Sequence, residues 1–301
     1  MGNNFITLTT DWGSSDNYAA IFKAHLYRKN PNVVIIDVTH DVKKNDVSGA
    51  AFLVKTMYPY FPKNSVHIID VNVLAFYNEN KYRQTLKTEQ SVESLYFTHY
   101  LAFRYEDHYF MCENNGLISL LCNINKIEEI VRILPDKDCE NFHTFKAISY
   151  WTDVADRLVK GEHLLSIGEK YDTKNIELLK KSEAYSPHGQ KDKIAFCSQY
   201  VDSYGNIITN LHKDFFDEIA DGRTVFDFYC TQTGTKKNRK ISQDYNDKLG
   251  DQFILLFGHS QYLEISARYA PFAKILRADS LNLEFTITFS PKNILPAAPY
   301  N

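Results

Sequence analysis

The alternation of short apolar runs with helical periodicity over residues 5–70 constrains the fold more than any other sequence feature. Residues 5–9 (FITLT), 33–38 (VVIIDV) and 66–70 (VHIID) are typical of short buried strands. The second run is typical of a strand covered on both faces. Between the runs, apolar residues recur at helical spacing, and a proline follows each helical segment. This order predicts a βαβαβ unit and a largely parallel sheet within an α/β sandwich.

After residue 194 the apolar period changes from the helical value of about 3.6 to the strand value of about 2. Turn residues separate short alternating segments at 194–201, 225–230, 253–257, 262–267 and 283–289. They predict a second, all-β domain of barrel-like or sandwich type. Residues 172–193 are rich in Lys, Ser, Pro and Gly, so we expect domains at 1–180 and 190–301.

The composition argues against several partners. A net charge of −3 without a long basic run disfavours nucleic acid. No apolar run approaches the roughly 20 residues of a membrane helix, and no signal peptide is evident. The five cysteines form no CxxC pair, which favours a reduced, cytoplasmic setting. No cluster has metal-ligand spacing, so we expect neither a metal nor a cofactor.

The first strand leads directly into Asp11. Ser14-Ser15-Asp16 follows and predicts a helix cap. Asp11 is therefore expected at the carboxyl end of a strand, the edge where open α/β sheets bind ligands. A carboxylate there can accept two hydrogen bonds from a vicinal diol such as a ribose, or it can simply cap a turn. Asp70 ends the third strand in the same way.

Three further stretches carry polar residues that folding alone does not require. Asp202 and Asn206 share a glycine-containing turn and could clamp a group bearing both ammonium and carboxylate charges, or form an ordinary Asx-turn. His143 follows Phe142, and a lone histidine of this kind is more often a core or surface residue than a catalyst. The third stretch lies on a strand and its exit, a pattern more often typical of a barrel surface than of a site: Ser260, Arg268 and Ala270.

Taken in order, these elements resemble the S-adenosylmethionine hydroxide adenosyltransferase family, which is related to the enzymes that make 5′-fluoro- and 5′-chloro-adenosine. The resemblance covers nearly the whole chain through TTDWGSSDNY, DVTHDVKKNDVSGAAF, YFPKNSVHIID, NNGLISL and VDSYGNIITN. It implies hydrolysis of S-adenosylmethionine to adenosine and methionine, by attack of water or hydroxide at the ribose C5′. It also implies a homotrimer, with the ligand between one subunit's α/β domain and a neighbour's β-barrel.

The resemblance assigns roles to individual residues. Asp70 matches the catalytic aspartate, and His143 matches the catalytic histidine through its Phe-His pair. The family follows its aspartate with Pro-Gly-Val-Gly and an arginine, whereas this chain continues Val-Asn-Val, so Lys81 or Arg83 in the 71–99 segment is the candidate cation. The implied substrate contacts are Asp11, Asp16, Asn17 and Tyr18 near the ribose, Asp202 and Asn206 at the methionine end, Tyr245 against adenine, and Ser260, Arg268 and Ala270 at its edge.

Other functions fit parts of this pattern. The altered segment after Asp70 could leave a protein that binds S-adenosylmethionine or adenosine without hydrolysing it, and this alternative stays open on the sequence alone. A halogenating enzyme fits less well, because the charge of Asp70 would meet the approaching halide. A structural trimer without a ligand would leave Asp11, Asp202 and Asn206 without a purpose.

Overall fold

The computed structural model describes residues 4–71, 100–134, 145–231, 234–246, 253–267, 271–275 and 283–290. The chain divides into two compact units, Met1–Lys181 and Ser182–Asn301. Each unit has a hydrophobic core of its own. Within the described ranges, no helix combines the length and apolar character that a membrane crossing requires.

The first unit contains a mixed seven-stranded sheet. Its strands are β1 (Phe5–Thr10), β2 (Val34–Thr39), β3 (Val66–Asp70), β4 (Tyr100–Tyr105), β5 (His108–Glu113), β6 (Glu129–Arg132) and β7 (Glu169–Lys170). They are arranged in the order β2-β1-β3-β5-β4-β6-β7. The first four strands in this order pair in parallel, as the βαβαβ pattern predicts for β1 to β3. The remaining pairs are antiparallel.

Helices cover both faces of this sheet. They are α1 (Tyr18–Lys29), α2 (Val47–Met57), α3 (Leu117–Leu121), α4 (Lys146–Val159) and α5 (Leu164–Ile167). Successive side chains of a strand point to opposite faces. Accordingly, Ala102 of β4 packs in the core that contains α1 and α4. Its neighbours Leu101 and Phe103 pack in the core that contains α2 and α3. The predicted α/β sandwich is therefore confirmed.

The sequence also predicts three local features of this unit: a hairpin turn at Glu106-Asp107, a helix cap at Asn45 or Asp46, and a helix over 152–160 ended by Gly161. The hairpin turns at Glu106 and Asp107, which both have positive φ, at 49° and 64°. The carboxylate of Asp46 caps α2 by accepting the Gly49 backbone N–H at 2.8 Å. The predicted helix lies within α4, which starts earlier, at Lys146, ends at Val159, and is followed after its C-cap Lys160 by Gly161 with a φ of +87°.

Two local predictions are wrong. The strand expected to be covered on both faces, β2, lies at the edge of the sheet, and Val34 is 42% exposed. The Ser14-Ser15-Asp16 segment does not cap α1, because the N-cap is Asn17 and its side chain makes no capping hydrogen bond. The Ser14 backbone N–H instead donates to the carboxylate of Asp41 at 2.9 Å.

A buried histidine pair links the parallel strands. Thr7 Oγ1 of β1 lies 2.8 Å from His67 Nδ1 of β3, and His67 Nε2 lies 3.2 Å from His108 Nδ1 of β5. Burial lowers the pKa of His67 to about 3, with a further contribution from His108. His67 is therefore held as a neutral ring in the folded chain at ordinary pH.

The second unit contains a seven-stranded antiparallel sheet. Its strands are β8 (Lys193–Val201), β9 (Ile207–His212), β10 (Phe226–Cys230), β11 (Gly234–Arg239), β12 (Phe253–Phe257), β13 (Tyr262–Ala267) and β14 (Glu284–Phe289). Their order is β11-β10-β14-β8-β9-β13-β12. The predicted β-domain is confirmed, with β9 and β11 as additional strands. Two helices, α6 (Lys213–Ala220) and α7 (Phe272–Ile275), also belong to this unit.

Strand β8 connects the two halves of this sheet. Its first part, from Lys193 to Cys197, pairs with β14, and its second part, from Ser198 to Val201, pairs with β9. A strand that changes partner along its length turns a corner, which is how a sheet curls toward a barrel. Phe228, Phe285 and other aromatic residues fill the resulting core.

Candidate active site

Two aspartates lie together at the carboxyl edge of the first sheet. β1 and β3 are adjacent and parallel, and Thr10 is paired with Asp70 in their register. The backbone N–H of Asp11 donates to the backbone carbonyl of Asp70 at 3.3 Å. Both side chains are buried, with Asp11 3% and Asp70 8% exposed. This is the edge at which open α/β sheets bind ligands.

Each carboxylate oxygen of Asp70 accepts a hydrogen bond from a tryptophan. Trp12 Nε1–H donates to Oδ2 at 2.7 Å, and Trp151 Nε1–H of α4 donates to Oδ1 at 3.1 Å. Burial raises the pKa of Asp70 to about 6, the two indole bonds oppose this rise, and the charge of Asp11 adds to it. Asp70 can therefore take up and release a proton near neutral pH.

Asp11 lies in a turn fixed by its neighbours. The Lys44 ammonium donates to the backbone carbonyl of Asp11 and lies 3.9 Å from its Oδ1. Gly13 has a φ of +89°, which favours glycine, and its N–H donates to the His40 carbonyl at 2.7 Å. The Asp-Trp-Gly sequence thus places a carboxylate at the edge, an indole against Asp70 and a left-handed turn beyond them.

Aromatic rings connect Asp70 to the surface. The Trp12 ring stacks on His40 at 5.8 Å with an interplanar angle of 9°, and Phe145 meets Trp12 edge-on at 5.0 Å. Phe145 in turn lies 5.1 Å from the ring of Tyr18, which is 43% exposed. Asp16 and Asn17 are exposed just before Tyr18. Tyr18 is thus joined to the Asp70 cluster through rings.

A second polar group lies in the second unit. Asp202 Oδ1 accepts the backbone N–H groups of Tyr204 and Asn206, both at 2.9 Å, so the Asx-turn reading describes its backbone correctly. In addition, Asn206 Nδ2 donates to Asp202 Oδ2 at 2.9 Å, and Ser266 Oγ donates to Asn206 Oδ1 at 2.7 Å. Gly205, with a φ of +82°, allows this tight turn. Carboxylate and carboxamide are therefore held side by side.

Tyr245 belongs to the same polar group. Its hydroxyl donates to Glu264 Oε1 at 2.5 Å, while 48% of the residue is exposed. Burial raises the pKa of Tyr245, as does its bond to Glu264. Burial also raises the pKa of Glu264, and the charge of Asp202 adds to the rise. The tyrosine is thus anchored by its hydroxyl.

Sequence reasoning missed four residues of these groups. They are Trp12, Trp151, Glu264 and Ser266. The sequence pattern could have pointed to Glu264 and Ser266, because they are polar residues that alternate with the apolar Leu263 and Ile265 in β13. In the structure all four residues are buried. The tryptophans had a weaker signal, since they are the two tryptophans in the sequence.

Several predicted residues have no described position. His143, Lys81, Arg83, Arg268 and Ala270 lie outside the described residues, so their roles stay predictions. Ser260 lies in the turn between β12 and β13 and is half-buried. Its Oγ accepts the Tyr262 backbone N–H at 3.4 Å. Among the residues with described positions, no three His, Cys, Asp or Glu side chains are grouped to hold a metal ion.

The fold and these side chains define a two-domain protein with an α/β sandwich, a barrel-like β-unit and buried acidic residues at the carboxyl edge of the first sheet. The chain belongs to the SAM hydroxide adenosyltransferase family. The model of the family's N-terminal domain matches residues 6–89, and that of its C-terminal domain matches residues 197–281. The resemblance read from the sequence motifs is thereby confirmed.

Known proteins are similar to this chain in sequence or in fold. An (R)-S-adenosyl-L-methionine hydrolase from Methanocaldococcus jannaschii is 25% identical over 296 residues, covering 93% of this chain and 94% of its own. A protein of the same name from Salinispora arenicola is 42% identical over 69 residues, 23% of this chain and 26% of its own. The crystal structure of an uncharacterized conserved protein from Thermotoga maritima has a TM-score of 0.75 at 21% identity, covering 95% of this chain and all of that one (100%).

Proposed function

We propose that this protein hydrolyses S-adenosylmethionine to adenosine and methionine. The observation that carries the proposal is the buried Asp70 carboxylate at the ligand-binding sheet edge, whose pKa is raised to about 6, in a chain of this family. The similarity to the two proteins named (R)-S-adenosyl-L-methionine hydrolase supports the same reaction.

Asp70 acts as the general base in this proposal. Water is a weak nucleophile at neutral pH, and a carboxylate can draw off its proton as the new bond to C5′ forms. In the same displacement the bond between C5′ and the sulfonium sulfur breaks and methionine leaves as a neutral thioether, so the positive charge of the substrate sulfonium disappears along the reaction. The apolar rings of Trp12 and of Phe145, which packs edge-on against Trp12, disfavour the charged ground state and therefore assist this step.

A nearby cation would stabilise the developing hydroxide. The family arginine is absent after Asp70, and we propose Lys81 or Arg83 as its replacement, together with His143 as a further catalytic group. Lys44 is a third candidate, since its ammonium lies 3.9 Å from Asp11 Oδ1 at the same sheet edge.

The two polar groups suit different parts of the substrate. We assign Asp11 to the ribose hydroxyls, with Asp16, Asn17 and Tyr18 beside it. Asp202 carries the charge that an ammonium requires, and the second N–H of the Asn206 amide can donate to a carboxylate. Tyr245 is assigned to adenine, with Ser260, Arg268 and Ala270 at the adenine edge.

The family resemblance also supports a homotrimer in which two copies complete one site. The ribose-side residues belong to the first unit and the methionine-side residues to the second unit. A cytoplasmic location is part of the proposal, since the four cysteines in described positions form no disulfide.

Single-turnover conversion of bound S-adenosylmethionine tests the reaction. We expect wild type to form adenosine and methionine, and Asp70→Asn to retain the ligand without forming either product. Among Lys44→Gln, Lys81→Gln and Arg83→Gln, the variant that removes the true cation should lose turnover with little change in affinity. Wild type that binds the ligand and leaves it intact would instead establish the binding-protein alternative.

A further inference from the structure

Both tryptophans of the chain donate to the same carboxylate. The sequence contains two tryptophans, Trp12 directly after β1 and Trp151 in α4. Their Nε1–H groups reach different oxygens of Asp70, at 2.7 and 3.1 Å. Both indoles are buried, at 9% and 0% exposure. Phenylalanine would supply a similar apolar ring without the donor, so packing alone does not account for this pair of bonds.

The hydrogen-bond chemistry of indole selects one form of Asp70. An indole N–H can only donate, so each carboxylate oxygen must accept. The ionised carboxylate meets this demand at both oxygens. Protonation converts one oxygen to a hydroxyl, whose proton finds no acceptor on an indole nitrogen. The pair therefore favours the ionised form and fixes the carboxylate plane, while each oxygen keeps a further lone pair for a water molecule.

We infer that Trp12 and Trp151 are positioning residues that hold Asp70 ionised and oriented as a base, and that the tryptophan emission of this protein reports the charge on Asp70. The catalytic half of the inference rests on the proposed function. The spectroscopic half rests only on the two hydrogen bonds.

Other titratable groups surround Asp70 on each neighbouring element. They are Asp11 after β1 with Lys44 beside it, and Tyr100 of β4, which also neighbours Glu113 of β5 and stacks on Tyr150 of α4. His40 lies one ring further away, stacked on Trp12. Burial and Asp11 raise the pKa of Asp70, whereas the indole bonds lower it. Loss of an indole N–H should therefore raise this pKa, and loss of the Asp11 charge should lower it. The two kinds of variant have opposite expected signs.

A pH titration of tryptophan emission in the ligand-free chain tests the inference. We expect a transition near pH 6 in wild type that is absent in Asp70→Asn. Trp12→Phe and Trp151→Phe each keep one indole, and the midpoint should rise by about one to two pH units, since a bond to a charged group is lost. In Trp12→Phe the indole that stacks on His40 is gone, so the emission comes from Trp151 alone. Asp11→Asn is the matched control, whose midpoint should fall.

Two results overturn the inference. One is a wild-type transition that persists unchanged in Asp70→Asn, and this comparison needs no tryptophan substitution. The other is a midpoint that stays fixed or falls in both phenylalanine variants. In turnover measurements, the two phenylalanine variants should shift the acid limb of the pH profile of kcat to higher pH. The KM for S-adenosylmethionine should stay unchanged.

The readouts separate this inference from the proposed function. Shifted emission midpoints without adenosine formation in wild type would refute the hydrolase proposal and leave the positioning pair intact. Adenosine formation with unshifted midpoints and an unshifted acid limb would refute the positioning pair and leave the hydrolase intact.

Discussion

At the scale of single residues, the candidate site depends on what each carboxylate already touches. Asp70 accepts two indole bonds, Asp202 accepts two backbone N–H groups and one carboxamide, and Asp11 lies beside Lys44. Protein donors therefore orient all three acids. Their proposed roles differ because their neighbours differ.

The assignments of Asp11 and Asp202 predict different losses for two ligands. Asp11→Ala should weaken both adenosine and S-adenosylmethionine, by about 1.5–3 kcal/mol per lost charge-assisted bond. Asp202→Asn keeps an oxygen for the Tyr204 and Asn206 N–H groups but loses the charge. It should therefore weaken S-adenosylmethionine alone, because adenosine has no amino-acid end. Calorimetry decides, and equal losses for both ligands in Asp202→Asn would exclude its assignment to the methionine end.

The sequence alone predicts the site aspartates but not the side chains that hydrogen-bond to them. Asp11 and Asp70 could be found because each ends an apolar run, and strand ends are visible in a linear pattern. The indole bonds to Asp70 join positions 58 and 81 residues apart, so they depend on how β1, β3 and α4 pack. No local pattern carries that information.

At the scale of elements, the sequence predicts that a strand forms more reliably than it predicts whether that strand is buried or exposed. The residues of β2 predict a strand correctly, but its exposure follows from its place at the sheet edge, which is a tertiary property. The predicted cap of α1 is wrong because the backbone N–H of Ser14 instead donates to the carboxylate of Asp41. The cap of α2 succeeded because Asp46 lies directly before the helix.

The cap of α2 gives an element-scale prediction. Asp46→Ala removes the acceptor of the Gly49 N–H and should lower the free energy of unfolding by about 1 kcal/mol. Asp46→Asn is the control, since asparagine caps about as well as aspartate, and it should stay near wild type. Urea denaturation measures both. A loss in Asp46→Asn as large as in Asp46→Ala would assign the effect to charge rather than to capping.

At the scale of the whole molecule, two buried groups give stability a pH dependence with opposing signs. In the unfolded chain His67 takes up a proton below about pH 6.5, whereas in the folded chain it stays neutral down to about pH 3. This part lowers stability as pH falls, by about 1.4 kcal/mol per unit. Between about pH 6 and pH 3.8, Asp70 takes up a proton in the folded chain but not in the unfolded chain. This part therefore raises the free energy of unfolding as pH falls. The two parts offset each other in that window.

Substituting either Asp70 or His67 should make the contribution of the other to the pH dependence of stability visible. In Asp70→Asn only the His67 part remains, so stability should fall more steeply than in wild type between about pH 6 and 4. His67→Gln should show the opposite change, a flatter or reversed slope. Urea unfolding at several pH values measures these slopes, and exposed His188→Gln should keep the wild-type slope. Parallel curves for all four proteins would contradict the prediction.

The proposed trimer is tested on the intact protein. Light scattering should give three times the 34.9 kDa chain mass. If two copies complete one site, dilution that dissociates the trimer should also release S-adenosylmethionine. A monomer that binds the ligand with full affinity would exclude the shared site.

The hydrogen-bond chain from Ser266 through Asn206 to Asp202 has a consequence for the speed of recognition. Its acceptors and donors are held in place by bonds within the chain itself, so this part of the site has no rearrangement to complete after encounter. Capture of the amino-acid end should then be a single bimolecular step. In stopped-flow mixing, the observed rate should rise linearly with S-adenosylmethionine concentration without reaching a plateau.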